Sequence, residues 1–517
     1  MMPRVHVDRA PRATRGRTAP LLVLLLALLL VLDATPGAGQ ATASRPPATP
    51  VPAGGAVDTA AWLADLAQLR HALTRQYPNL EWAVERRGIA LGELSRNTEA
   101  ALRAAPSDAA ARSIVEAFLN AFGDGHLEVR WPSPSGATPA GAPAAAAREP
   151  ARPAGVCERL GYRRARRGGG IRFDLLPGFR WLASPDSAYF RAGVMVAGDD
   201  RLGVLRIASF EDDIHPELCE TAARALGIAA DAACDETCAD RVARETANQL
   251  TAALERRIAE LQAAGITRLL VDVTSNGGGT NWVEAAARTL TPVALRGARQ
   301  GFIRHPHYVR AFDADIARLV RDSAASRGEV RVRIGRALEV LRRQRREASL
   351  ACDRSGMWEG RAPGCSLVVS DPPRYSTGAL AYAPPESVDT TAAWRALYHP
   401  ARYRHREGVY RGPLMVLVDR GTVSAAEYFA ALMMDNSAGV VAGAPTFGAG
   451  CGYTNGGIPT VLPHSRGRVL IPDCVRYRAS GSNEVEGVAP DLPIPWRPND
   501  TPLQRARRVL ETLVSAQ

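Results

Sequence analysis

Apolar positions follow two rhythms along this chain, and their alternation predicts its architecture. From Asp58 onward, Trp62, Leu66, Leu69 and Leu73 recur three or four residues apart. That spacing predicts an amphipathic helix capped by Asp58 or Thr59. A second helical stretch is expected over about 112–121. Further on the apolar residues condense into strand-sized runs at 202–209, 269–273 and 414–418. Between the first two, Leu250, Leu254, Ile258 and Leu261 share one helical face that ends at Gly265. Helices are expected again over 284–289 and 424–434, and a short strand over 440–441. Strand, crossover helix, strand, helix is the grammar of an α/β layer. The expected fold class is therefore α/β behind a helical N-terminal domain.

The first residues obey a different rule. Arg4, Arg9, Arg12, Arg15 and Arg17 precede an apolar run over 21–32, and small residues follow at Ala38, Gly39 and Ala41. A basic start, a short apolar centre and a small-residue exit describe a secretory signal over 1–39. The run falls short of the ~20 apolar residues a spanning helix needs, so no stable membrane span is expected after cleavage; an uncleaved anchor is the alternative. Residues 40–56 and 132–155, rich in Pro, Ala and Gly, read as linkers. They delimit a helical domain over 57–131 that ends in an Asp-Gly-His strand. The first part of the core, with a cysteine-containing insertion, then covers 156–295, an arginine-rich insertion 296–411, and the second part of the core 412–517. Within the insertion, 318–346 is charged on most faces and reads as a solvated helical segment.

Charge and cysteine content change the picture in two places. The formal charge is +11, and all 64 basic residues are arginine, because the chain has no lysine. The arginines are scattered, without a basic helix or aromatic-basic alternation, so nucleic acid is not an expected partner. Eight cysteines behind a secretory signal predict disulfides in a periplasmic or extracellular setting. Cys352 with Cys365, and Cys451 with Cys474, are the expected pairs, since each closes a short loop within one segment. Cys157, Cys219, Cys234 and Cys238 stay unassigned. Cys234 and Cys238 also admit a metal reading, but no Cys or His array at zinc spacing accompanies them, and no metal or cofactor is expected.

Three stretches carry candidate chemistry. In Gly421-Thr-Val-Ser424-Ala-Ala-Glu427 a serine sits between an apolar strand and a helix, where free backbone N–H groups favour developing negative charge. Ser424 reads either as a helix cap or as a nucleophile. In Asp272-Val-Thr-Ser-Asn276-Gly-Gly278-Gly279, successive glycines let backbone N–H groups approach a reacting carbonyl, as an oxyanion hole requires; a tight turn or phosphate loop is the alternative, the latter without its lysine. In Gly123-Asp124-Gly125-His126-Leu127 the histidine stands at the start of a strand-like stretch, either structural or catalytic.

Taken in order, these stretches resemble the tail-specific, or C-terminal processing, protease family, which also includes the tricorn core protease and retinoid-binding modules. The resemblance rests on Asp124-Gly-His126, Leu270-Val-Asp272 through Asn276 and Gly278-Gly279, Val416 through Ser424 and Glu427, Gly443 through Thr446 and Gly448, and Gly487-Val-x-Pro490-Asp491. It implies a crotonase-like core of stacked βα units, with Ser424 as nucleophile and Gly278 and Ala425 as oxyanion-hole donors. Asn276, Gly279 and Thr446 are candidate substrate-binding positions. Many members use a Ser–Lys dyad with a glutamine; here Ala449 and Tyr453 stand at those places. Another base must then take the serine proton. The tricorn-type branch uses a histidine and a glutamate, which here fall on His126 and on Glu484, with Glu486 in competition and His464 as reserve base. Neutral imidazole suits general-base work near pH 7, and a carboxylate would orient it. No module with a Pro-Gly-Asp turn lies between 129 and 202, so a PDZ domain is expected to be absent. The expected function is an exported serine peptidase acting on peptide or protein substrates. A non-catalytic ligand- or peptide-binding protein on the same fold, or an esterase or amidase, are the alternatives.

Overall fold

Leu269, Val271 and Val273 point to one side of the strand Arg268–Asp272, and Leu270 to the other. The same alternation splits the neighbouring strand Leu414–Val418, where Val416 and Val418 face one core and Met415 and Leu417 a second. A strand covered on both faces reads as an unbroken apolar run rather than an alternation, which is how both appear in the sequence. They occupy the middle of a seven-stranded sheet in a computed structural model that describes residues 57–132, 154–164, 169–387, 397–453 and 459–515. The expected signal, the first linker and most of the second linker lie outside the described residues.

The sheet order is Leu492–Pro493, Val440–Gly443, Leu414–Val418, Arg268–Asp272, Asp200–Arg206, Arg191–Ala197, Arg180–Trp181. The first five strands run parallel and the last two antiparallel. Parallel neighbours need crossovers; the helix Glu236–Ala263 supplies one, burying Leu250, Leu254, Ile258 and Leu261 against the first face. The C-terminal helix Pro502–Ser515 covers the second face through Ala506, Val509 and Leu513. The expected α/β class is thus observed as a mixed sheet layered between helices.

Ahead of the sheet come the helices Thr59–Gln76, Leu80–Glu85, Leu91–Arg103 and Asp108–Asn120. Asp58 caps the first by accepting from the Ala61 N–H at 3.0 Å, and Trp62, Leu66, Leu69 and Leu73 form its buried face. Their core is not closed within the segment: Trp358, Leu462 and Val469 complete it. Directly afterwards Glu128–Arg130 pairs antiparallel with Arg468–Leu470, Val129 opposite Val469. This pairing carries His126 to the C-terminal half of the chain.

A third sheet joins Cys474–Tyr477, Arg299–Ile303 and Val368–Tyr375. Over it pack the helices Pro306–Ala325 and Gly328–Ala348, which contain most of the stretch 318–346 read from sequence as a solvated helical segment. Each instead buries a stripe, Tyr308, Phe312 and Leu319 on the first and Ile334, Leu338 and Leu341 on the second. The arginines between those positions dilute the apolar signal without breaking its helical spacing. Four disulfides are formed: Cys157–Cys219, Cys234–Cys238, Cys352–Cys365 and Cys451–Cys474. Both expected pairs are among them, and Cys234 and Cys238 are bonded to each other rather than poised as metal ligands.

Candidate active site

The central strand Leu414–Val418 delivers the chain to a turn that opens the helix Ala425–Asp435. Thr422 Oγ1 donates to the Val273 carbonyl at 3.0 Å and the Val423 N–H to the Asn276 carbonyl at 2.9 Å, so the turn is bolted to the end of the adjacent strand. Between these ties and the helix, Ser424 takes φ +58° and ψ −119°. A non-glycine residue in that region costs of order 1–3 kcal/mol and persists only where its surroundings enforce it. Ser424 is the N-cap residue of the helix, and its Oγ lies 3.0 Å from His126 Nε2.

His126 is held on every side. Its Nδ1 is 2.5 Å from the Ala449 carbonyl oxygen, so Nδ1–H donates there and Nε2 is left to accept from the serine hydroxyl. The His126 backbone N–H donates to Asp124 Oδ1 at 3.0 Å. Asp124 Oδ2 accepts in turn from Tyr77 Oη at 3.1 Å and Asn79 Nδ2 at 2.9 Å. Burial raises the Asp124 carboxyl above its ordinary range, and the nearby His126 acts against that shift. Tyr453 donates its hydroxyl to the His126 carbonyl, and its ring stands T-shaped to the imidazole with the ring centroids 5.3 Å apart. Gly452, at φ +75°, lies against the imidazole: a Cβ there would meet Cε1 at 2.9 Å and Nε2 at 3.0 Å.

The Ala449 carbonyl owes its place to a residue that the sequence reading quoted but gave no task. Glu427, fully buried in the first turn of the helix, accepts four donors. Its Oε1 takes Thr446 Oγ1 and the Gly448 N–H, each at 2.6 Å; its Oε2 takes the Ser424 N–H at 2.8 Å and the Ala449 N–H at 2.9 Å. One carboxylate thus fixes the backbone of the serine and the backbone that orients the histidine. Its signal in the sequence was a Ser-x-x-Glu spacing, a capping box.

Gly278 closes the site from the neighbouring strand. A Cβ there would stand 2.8 Å from Ser424 Cβ and 2.9 Å from the Ala425 nitrogen, and φ is +101°. Its N–H donates to Asn276 Oδ1 at 2.9 Å. Asn276 is fully buried and also donates through Nδ2 to the Ile207 carbonyl at 3.0 Å, so its side chain is spent on shaping the turn. Thr446 is committed likewise, donating to Glu427 and accepting the Val488 N–H at 2.8 Å. Gly279 is exposed beside Gly278, with φ +148°.

Of the expected acids, neither touches His126. Glu484 is fully buried beside Arg476, Nε to Oε2 3.0 Å, without the alignment of a hydrogen bond. Burial pushes its carboxyl up to about 7, against the pull of Arg476 and with a push from Glu427. Glu486 accepts from Trp82 Nε1 at 3.0 Å and lies 3.6 Å from Arg86, tying the N-terminal helices to the core. His464 packs on Trp62 at 5.5 Å between ring centroids, and its N–H donates to Asp65. Ala449, at the expected lysine position, is buried, whereas Tyr453, at the glutamine position, is exposed.

The C-terminal processing peptidase, chloroplastic, of Tetradesmus obliquus is 36% identical over 100 residues, 19% of this chain and 20% of its own length. The carboxyl-terminal-processing peptidase 2, chloroplastic, of Arabidopsis thaliana is 38% identical over 85 residues, 16% of this chain and 15% of its own length. The chain therefore spans a fifth or less of these curated relatives. Mature CPAF complexed with lactacystin shares the fold at 15% identity with a TM-score of 0.55, covering 89% of this chain and 98% of that one. The model of peptidase family S41 matches residues 201–494. With more than half of its length matched, the chain belongs to peptidase family S41.

Proposed function

We propose that Ser424 is the nucleophile and His126 its general base. The observation that carries this reading is the 3.0 Å separation of Ser424 Oγ and His126 Nε2 in a chain without lysine. A serine hydroxyl is a poor nucleophile at neutral pH until a base takes its proton. Ser424 Oγ attacks the peptide carbonyl while its proton passes to Nε2. The imidazolium so formed is held through Nδ1–H by the Ala449 carbonyl, then returns the proton to the leaving amine. The Ala425 N–H, at the first turn of the helix, and Gly278 are the proposed oxyanion donors. Because the Gly278 N–H is already engaged by Asn276 Oδ1, it serves by sharing or releasing that bond. The exposed Gly279 beside it fits a substrate-contacting position, whereas Asn276 and Thr446 act by holding the turn. Glu484, buried beside Arg476, is not a direct partner of His126.

Export belongs to the same reading, supported by four disulfides and the basic–apolar–small pattern of 1–39. Among the described residues no helix is long and apolar enough to cross a membrane. The layout proposed from sequence, a helical domain, a core split by an arginine-rich insertion and no PDZ domain, fits a lysine-independent branch with a crotonase-like core acting on peptides.

A fluorophosphonate probe and peptide hydrolysis test the assignment. The wild type is expected to label and to cleave; Ser424→Ala is expected to abolish both, and His126→Ala to lower both about 1,000-fold or more. Label and hydrolysis that survive Ser424→Ala overturn it. A folded wild type that binds peptide yet neither labels nor cleaves is the binding protein instead, and cleavage of esters but not peptides marks an esterase.

A further inference from the structure

Three of the residues around His126, namely Ala449, Gly452 and Tyr453, come from one short loop, 448–453, and the loop is moored at two ends. Glu427 holds the N–H groups of Gly448 and Ala449. The other mooring is a single stretch of chain at 473–476. Asp473 donates its N–H to the Gly452 carbonyl at 3.1 Å, and Arg476 donates to the Gly450 carbonyl at 3.1 Å. Between these, Cys474 is disulfide-bonded to Cys451. Cys474 is buried and paired with Phe302 in the third sheet, and the Asp473 carboxylate stands 2.9 Å from buried His307. The covalent bond therefore ties the loop to a rigid support. On its two sides it fixes the carbonyl that orients Nδ1 and the glycine that lies against the ring.

We propose that the Cys451–Cys474 disulfide is a positioning element for the general base, clamping loop 448–453 so that His126 faces Ser424. The inference rests on the Ser424–His126 reading. Breaking the bond takes two electrons and two protons from a dithiol, which leaves as its own disulfide while Cys451 and Cys474 become thiols. The loop then keeps only its hydrogen bonds, and the imidazole loses its fixed orientation.

The test uses the full chain as wild type, as Cys451→Ser/Cys474→Ser and, for control, as Cys234→Ser/Cys238→Ser. Steady-state peptide hydrolysis, active-site titration with a fluorophosphonate and the downfield proton resonance of the His126 Nδ1–H are read on each. A small misplacement of a catalytic group costs about 100-fold. The double variant is therefore expected to lose about 100-fold in kcat with KM unchanged, to titrate to full stoichiometry at a slower rate, and to lose the resonance. The control is expected to match the wild type. Should the double variant not fold, the folded wild type is treated with dithiothreitol while thiols are mapped by mass spectrometry. The fall in kcat should then follow the appearance of thiols at 451 and 474. Undiminished kcat without this disulfide overturns the proposal, as does a loss of kcat that merely tracks lost titratable sites and unfolding. If Ser424→Ala and His126→Ala leave hydrolysis intact, the catalytic reading itself has failed; if they abolish it and the cysteine variant does not, only the clamp has.

Discussion

Replacing Glu427 by glutamine removes one oxygen and one charge from the point where serine and histidine are jointly fixed. The carboxylate accepts two donors on each oxygen, all four buried or nearly so. A glutamine can place its carbonyl on either side. With the carbonyl toward Thr446 and Gly448, its NH2 confronts the N–H groups of Ser424 and Ala449, and two buried donors are orphaned at about 1–3 kcal/mol each. With the carbonyl toward Ser424 and Ala449, Thr446 can rotate its hydroxyl and accept from the NH2, and only the Gly448 N–H is orphaned. The second arrangement costs less, about 1–3 kcal/mol for that N–H plus the weakening of the remaining bonds as charge assistance is lost. We expect a net destabilisation of about 2–4 kcal/mol, read from the urea midpoint at constant m-value. Catalysis should suffer beyond stability: in folded protein well below the transition, fluorophosphonate labelling should slow, since the bonds that hold the Ser424 and Ala449 N–H groups weaken and the Gly448 N–H next to Ala449 is released. Removal of the charge also relieves Glu484, whose carboxyl Glu427 pushes up. A Glu427→Gln protein within about 0.5 kcal/mol of wild type, the span of ordinary surface substitutions, and labelling at the same rate would refute the reasoning.

Other expectations follow from the same geometry. Gly278→Ala sets a Cβ 2.8 Å from Ser424 Cβ at a φ of +101°, so it should abolish labelling even where the variant is shown by circular dichroism to be folded. Asn276→Ala frees the Gly278 N–H but removes the support of the turn at Ile207; a fall in kcat is expected, and an unchanged kcat would show that the amide holds nothing the reaction needs. Glu484 keeps its proton up to about 7 in the fold, against an ordinary 4.5. Its contribution to stability is therefore complete below pH 4.5 and is lost as pH rises through about 7. At about 1.4 kcal/mol per unit this amounts to roughly 3 kcal/mol. Glu484→Gln mimics the protonated form, so wild type should lose about 3 kcal/mol relative to the variant between about pH 4 and pH 8. A stability difference that stays level across that interval would exclude a perturbed Glu484.

The elements of the core were legible because a buried parallel strand and an amphipathic helix each stamp a local pattern on the sequence. The runs at 269–273 and 414–418 and the stripe from Leu250 to Leu261 needed no partner to be read. The same holds for Asp58 as a cap and for the two cysteine pairs that close short loops. The helices Leu80–Glu85 and Leu91–Arg103 escaped notice because the core they bury is completed by Trp358, Leu462 and Val469, hundreds of residues away. The segment 318–346 was misread as solvated because arginines between Ile334, Leu338 and Leu341 hide a stripe that only packing reveals. At the site, the sequence by itself determined that no lysine could serve Ser424, since none exists in the chain. That an imidazole stands in its place depends on the pairing of Val129 with Val469, a contact without local signature. What orients that imidazole, a carbonyl at Ala449 set by Glu427, is a backbone feature that no side-chain motif encodes. Side-chain identity is written in the sequence; the direction of a peptide group is decided only when the chain around it has folded.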